Sequence, residues 1–253
     1  MEKYDKYNEE RQKNLIIGRN AVAELLRADR EIDTLFVSRG EKAGSIGKLI
    51  AECREKGVVI KEVDKKKLDF MCSHSNHQGI IAECASHEYS TIEDILQDAE
   101  NRNEDPFIVI CDGIEDPHNL GAIIRTAEAA GAHGIIIPKR HSASLNYTVG
   151  KTSAGALEYM KVARVSNLAS TIESLKEKGI WIYVADMDGR DIKDVDFSGP
   201  LALVIGAEGD GVGRLVKEKS DFIVSLNMKG RLNSLNASVA AGILMYEISY
   251  RRK

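Results

Sequence analysis

The sequence has 253 residues, 43% of them apolar and 29% charged, with 35 basic and 39 acidic side chains and a formal net charge of −4. These proportions exclude a disordered chain, a collagen-like repeat and a small disulfide scaffold, and a chain of this length buries roughly 75% of its unfolded surface. Total charge does not announce a nucleic-acid partner, but phosphate recognition needs a local basic patch rather than a net excess.

Residues 1–14, MEKYDKYNEERQKN, hold eight charged side chains and no apolar core, so they read as a solvated arm and not as a signal peptide. From Leu15 short apolar runs alternate with amphipathic stretches. Leu15–Gly18, Thr34–Val37, Val58–Val63 and Gly79–Ala85 predict strands, with helices over Ala21–Leu26, Ile46–Lys56 and Lys65–Cys72. The pattern describes a small α/β domain over 15–85. Residues 86–105 are polar and acidic and read as a linker carrying one short helix near Thr91–Glu100.

The composition changes at Pro106. All four prolines and 15 of the 21 glycines lie after residue 105, and the balance shifts from 17 basic against 22 acidic groups to 18 against 17. A second domain over 106–253 is therefore expected. It opens with a strand at Phe107–Cys111 and a helix from Asn119 to Ala130. Strands follow at Ile135–Ile137, Trp181–Ala185 and Leu201–Ile205, with helices near Asn167–Lys178 and Asn236–Arg251. The continuous apolar runs at 107–111 and 201–205 suit parallel strands covered on both faces. No run approaches a membrane span. Cys53, Cys72, Cys84 and Cys111 form no C-x-x-C pair, which argues against a zinc site or a disulfide framework. Buried, reduced thiols in a cytoplasmic protein are expected instead, and no metal site is.

Three stretches can carry chemistry. In the first, Asp112-Gly-Ile-Glu-Asp-Pro-His-Asn119-Leu-Gly-Ala-Ile-Ile-Arg125, a strand leads into a helix. Leu120, Ile123, Ile124 and Ala127 form one buried stripe, and Arg125 lies about 140° away from Leu120, on the side of Gly121 and Glu128. Arg125 there faces either a cleft or water beside Glu128. The second, Gly206-Ala-Glu208-Gly209-Asp-Gly211-Val-Gly213, has four glycines in eight residues after a buried strand. It fits neither the dinucleotide fingerprint nor the P-loop, so it is a tight turn or a ligand loop of another kind. The third runs from Leu226 through Met228 to Ser234-Leu235-Asn236-Ala-Ser238. It enters the last helix, where Ser234 and Asn236 either cap free N–H groups or hold a ligand near them.

Taken together and in this order, the N-L-G-x-x-x-R, G-x-E-G and S-L-N blocks resemble the signature motifs of the SpoU (TrmH) family of RNA 2′-O-ribose methyltransferases. The segments Ile17-Gly-Arg-Asn-Ala-Val22 and His77-Gln-Gly-Ile80 resemble the substrate-binding domain of its RlmB-type subgroup, whose members methylate a guanosine in large-subunit ribosomal RNA. The resemblance implies a knotted (trefoil) SPOUT-type α/β methyltransferase domain with a mainly parallel sheet, behind a small N-terminal α/β RNA-binding domain. It implies S-adenosyl-L-methionine as cofactor and a homodimer, to which the apolar Val239, Ile243, Tyr246 and Tyr250 of the last helix lend support. By motif position Gly206, Leu226, Met228 and Leu235 would contact the cofactor. Asn119, Arg125, Glu208, Ser234 and Asn236 would form the polar site, with Glu208 orienting Arg125 or taking up the proton. Arg19, Asn20, Lys65, Lys66, Lys67, His77 and Gln78 are the candidate RNA contacts. One departure from the family pattern is Asn227, which stands where proline is usual. Transfer RNA as substrate, or a non-catalytic RNA-binding protein of the same fold, are the alternatives.

Overall fold

The structure, a computed structural model, describes residues 14–28, 30–40 and 44–252. The expected N-terminal arm lies outside the described residues except for Asn14. The chain forms two compact units, Met1–His87 with Ser144–Tyr147, and Glu88–Ala143 with Thr148–Lys253.

The first unit contains β1 (Leu15–Ile17), α1 (Arg19–Arg27), β2 (Thr34–Ser38), α2 (Ser45–Glu55), β3 (Val59–Val63), α3 (Lys65–Met71) and β4 (Ile80–Glu83). Its sheet has the order β1-β4-β2-β3, antiparallel except for the β2–β3 pair. Successive strand side chains point to opposite faces, so β2 feeds two cores. Leu35 and Val37 pack with Val22, Leu25, Leu49 and Ile50 beneath α1 and α2. Phe36 packs the other way with Ile81, Val63, Leu68 and Cys72, under α3.

The second unit contains α4 (Ile92–Arg102), β5 (Phe107–Asp112), α5 (Pro117–Ala129), β6 (Gly134–Pro138), β7 (Lys161–Val165), α7 (Leu168–Glu177), β8 (Trp181–Asp191), β9 (Leu201–Gly206), α8 (Arg214–Lys219), β10 (Phe222–Ser225) and α9 (Ala237–Arg251); α6 (Tyr147–Thr152) lies between β6 and β7. All six strands are parallel, in the order β10-β8-β9-β5-β6-β7. Strands β5 and β9 sit in the middle and their apolar runs are fully buried at Ile108–Ile110 and Leu201–Val204. The α5 stripe is as the periodicity predicts, with Leu120, Ile123, Ile124 and Ala127 all buried. Gly121, on the Arg125 side, is also buried: a Cβ there would lie 1.8 Å from the Thr152 hydroxyl, so this glycine lets α6 approach.

Residues 86–105 are not the linker that their composition suggests. Ile95 of α4 is fully buried in the core of the second sheet with Ile108 and Ile136, seated over Gly134, where a Cβ would stand 2.4 Å from its Cγ1. Thr91 and Asp94 close the start of α4 with a reciprocal capping box. Ile92, Ile95, Leu96 and Ala99 form one apolar stripe at i, i+3, i+4 and i+7, which with the cap fixes the helix against the core. All four cysteines are buried and free, and burial pushes the Cys53 and Cys111 thiols up to about 11 and about 12. No helix among the described residues is long and apolar enough to cross a membrane.

Candidate active site

The carboxyl ends of the parallel strands hold the three sequence motifs. In open α/β sheets this is the end where loops can build a ligand crevice. The loop after β9 folds back on itself: Ala207 and Gly211 exchange backbone hydrogen bonds at 3.1 and 3.0 Å, with Gly209 and Gly211 at φ +96° and +68°. Gly206 permits this turn, because a Cβ there would stand 2.2 Å from the backbone carbon of Gly211. The glycine-rich stretch is thus a tight turn that also walls a cavity of about 320 Å³. Backbone of 206–211, Leu226, Met228, Ser234 and Leu235 lines it, with Ile205 and Leu244 behind.

At this site Asn236 is the N-cap of α9, and its amide also joins the other two motifs. Its Oδ1 caps α9, accepting from the N–H groups of Ser238 (3.0 Å) and Val239 (3.3 Å) and from the Ser238 hydroxyl (2.6 Å). That leaves Nδ2 facing outward, where it donates to Asn119 Oδ1 and to Glu208 Oε2, both at 3.0 Å. One side chain from each motif therefore meets at a single amide. Asn119 comes from the first turn of α5, which Asp116 caps by accepting from the His118 N–H at 3.0 Å. Ser234 lines the cavity and is exposed; it does not cap the helix.

Arg125 is exposed, six residues past Asn119 and about 9 Å further along α5. It forms no ion pair with Glu128 or any other acid among the described residues. The expectation that Glu208 orients Arg125 is corrected here, since the Glu208 carboxylate accepts from Asn236 instead.

Several residues of this end were not singled out by motif. Asp112, at the end of β5, accepts from the Gly213 N–H at 2.8 Å and ties the glycine loop to the central strand. Asp186 lines the cavity and pairs with Lys217 at 2.8 Å. Burial pushes its carboxyl up, but the bonds from Lys217 and the Asp188 N–H outweigh this and hold it below its ordinary value. Asn227, in place of the usual proline, donates its amide to Asp191 at 2.9 Å, which ties the 226–236 loop down by a side chain rather than by a ring. The Lys193 N–H and this amide hold the Asp191 carboxyl low. Among the described residues no group of three or more His, Cys, Asp or Glu side chains could hold a metal ion.

Within the first unit the candidate RNA contacts divide. Arg19 and Gln78 meet: the Arg19 N–H donates to Gln78 Oε1 and its Nε to the Gln78 carbonyl, each at 3.0 Å. Asn20 and Lys65–Lys67 are exposed. His77 is a correction. Its ring is only 5% exposed, Nδ1 accepts from the Gly79 N–H at 2.9 Å and Nε2 donates to Asp69 at 3.1 Å. Both ring nitrogens are committed to shaping the turn before β4, so His77 is a structural residue.

Comparison with known proteins shows the family. The SpoU rRNA methylase family matches residues 106–246, and the RNA 2′-O ribose methyltransferase substrate-binding family matches residues 15–90. The chain is 50% identical over 243 residues to YacO of Bacillus subtilis (strain 168), whose name places it among TrmH family tRNA/rRNA methyltransferases; the match covers 96% of this chain and 97% of that protein. An AdoMet-bound rRNA methyltransferase from Sinorhizobium meliloti aligns with TM-score 0.57 and 25% identity, over 93% of this chain and 86% of its own. A TrmH/SpoU tRNA modifying enzyme from A. aeolicus aligns with TM-score 0.54 and 28% identity, over 58% of this chain and 76% of its own. The fold is that of an RNA methyltransferase. The chain belongs to the SpoU rRNA methylase family, with an RNA 2′-O ribose methyltransferase substrate-binding domain in front.

Proposed function

We propose that the protein transfers a methyl group from S-adenosylmethionine to the ribose 2′-oxygen of a guanosine in large-subunit ribosomal RNA. The observation that carries this reading is the Asn119–Asn236–Glu208 cluster, whose Glu208 lines a cavity walled by Gly206, Leu226 and Leu235. The lining suits the cofactor: apolar side chains such as Leu226, Met228 and Leu235 for a flat base, and the carboxylates of Asp186 and Glu208 for a cation. When bound, the cofactor supplies a methyl carbon on a sulfonium, already a strong electrophile.

The chain's own task is then alignment and management of charge. Gly206, Leu226, Met228 and Leu235 hold the cofactor, largely through backbone, and Ser234 and Asn236 position ribose or methionine groups. Arg125, exposed and unpaired, holds a phosphate of the RNA and stabilises negative charge growing on the 2′-oxygen. A guanidinium does not give up its proton in proteins, so Arg125 is not the base. The hydroxyl proton passes to the Glu208 carboxylate. Arg19, Asn20, Gln78 and Lys65–Lys67 select the RNA. The exposed Val239, Ile243, Tyr246 and Tyr250 of α9 form an apolar stripe that supports a homodimer through the second unit. The C-terminal segment is read as tucked into a trefoil knot, and the four buried thiols suit the reducing cytoplasm.

Ribosomal RNA is favoured over transfer RNA because the rRNA-named structure aligns over 93% of the chain, including the front domain, and the tRNA-named one over 58%. Incubation with methyl-labelled cofactor should label large-subunit ribosomal RNA, at one guanosine by ribose-methylation mapping. Labelling of transfer RNA alone overturns the substrate. Cofactor binding without labelling of either RNA leaves the non-catalytic alternative.

A further inference from the structure

We propose that Phe70 is a stacking platform for an unpaired RNA base, flanked by Lys66 and Lys67 on the neighbouring phosphates. This rests on the RNA-methyltransferase reading and gives the first unit a preference for unpaired RNA. Helix α3 buries Leu68 and Cys72 in the core with Phe36 and Ile81. At about 100° per residue Phe70 lies about 200° from Leu68, on the opposite side. Its ring is 78% exposed, an unusual place for a large apolar side chain. Lys66 and Lys67 precede it by four and three residues and so stand beside it on the same face. Both are exposed, and neither forms an ion pair among the described residues.

The acids of this segment are engaged elsewhere, Asp64 with Arg39 at 3.3 Å and Asp69 with His77 at 3.1 Å. The basic face beside the ring is therefore unmatched, and its complement is an anion that carries flat rings. Single-stranded nucleic acid is such a partner: phosphates meet the lysines and a base meets the aromatic face. The helix end that carries the ring is also braced. The chain leaves α3 through Ser73 and His74 at φ +47° and +62°, conformations that cost energy for residues other than glycine. They are fixed by the His74 N–H on the Asp69 carbonyl (2.7 Å), the Cys72 thiol on the Ser75 carbonyl (3.2 Å) and the buried His77 ring. A platform on such a braced helix end loses little freedom when a base settles on it.

The test uses the full-length protein and a single-stranded 12-nucleotide RNA containing 2-aminopurine, with the fully paired duplex as comparison. Wild type should bind the single strand in preference and quench its fluorescence through stacking. Phe70→Ala and Phe70→Leu should abolish the quench and weaken binding about 5- to 100-fold, and Phe70→Trp should keep both. Lys66→Ala with Lys67→Ala should lower the dependence of log affinity on log salt by about 1.4, or about 0.7 for each phosphate contact. Cofactor affinity should be the same in every variant. The proposal is overturned if Phe70→Ala binds and quenches like wild type, if wild type prefers the duplex or binds neither, or if Phe70→Ala changes the sedimentation of the protein instead. Methyl transfer by the wild-type chain to ribosomal RNA separates the two failures. If transfer proceeds while the platform result fails, only the platform is wrong; if no RNA is methylated, the enzymatic reading falls.

Discussion

The two ends of the second sheet are built from the same strands but treat polar groups in opposite ways. At the amino ends they are locked together. His133 is buried, accepts from the Phe107 N–H at 2.9 Å and donates to Glu104 at 3.0 Å. Arg252 donates to the carbonyls of Asp105 (2.6 Å) and Pro106 (3.3 Å) and lies over the Phe107 ring. At the carboxyl ends, Glu208 and Ser234 are exposed around a cavity, Arg125 is exposed further along α5, and the amide of Asn236 joins Glu208 to Asn119. The amino end ties His133 and Arg252 to backbone and to Glu104, whereas the carboxyl end leaves Glu208, Ser234 and Arg125 exposed. A parallel sheet with helices on both faces leaves just these two rims for polar chemistry, and the loops decide which rim is which.

This contrast can be broken most forcefully at the open end. Arg125→Ala should lower methyl transfer about 10²- to 10³-fold, the scale for losing one charge-stabilising donor. Thermal stability and cofactor affinity should hardly change, because Arg125 makes no core contact. An unchanged rate at saturating RNA removes Arg125 from the mechanism. Next in size is Gly206→Ala. The added methyl collides with backbone of Gly211, so the loop must open, and calorimetry should show cofactor affinity down by about tenfold or more. Unaltered affinity would mean that the 206–211 turn does not wall the cofactor site.

A finer cut separates the two jobs of Asn236. Asn236→Asp keeps an acceptor for the helix cap but sets a carboxylate against Glu208, so activity should fall while the melting temperature holds. Asn236→Ala should lose activity and also about 1 kcal/mol of stability. Equal stability of the two variants would show that the cap contributes nothing. The smallest effect belongs to the closed end. Burial first, then the charges of Arg102 and Arg252, lower the His133 pKa against the opposing pull of Glu104. The unfolded chain therefore takes up this proton first. His133 contributes stability that is fully present above its unfolded value of about 6.5 and is lost as pH falls below it. Denaturant titrations of wild type should show that acid slope, and His133→Gln should flatten it without altering methyl transfer at neutral pH.

Much of this architecture is legible in the sequence, and what is not has physical causes. Strands β5 and β9 are readable because they are central and apolar throughout. Strands β7 and β10 were not identified, since Lys161–Val165 and Phe222–Ser225 are short edge strands, partly exposed and weakly patterned. Helix α4 is legible as a helix, but the acidic residues around its single apolar stripe of Ile92, Ile95, Leu96 and Ala99 make the segment read as linker rather than as part of the second core. The site motifs stand out through spacing, but their joining does not. Asn236 and Asn119 are 117 positions apart, and no local pattern shows that one amide bridges two motifs. Nor does a sequence reveal that His77 is walled in while Phe70, which looks like a core residue, points out.

Helix α9 begins at a side chain that has one end in the fold and the other where the three motifs meet. The oxygen of the Asn236 amide is held by three donors of its own helix, and the nitrogen by two acceptors that other groups can replace. On the proposed mechanism, a substrate arriving at that nitrogen would exchange one set of partners for another without touching the cap. A cycle of filling and emptying would then repeat with no unwinding of the helix start, and the wear of turnover would fall on the bonds to Asn119 and Glu208.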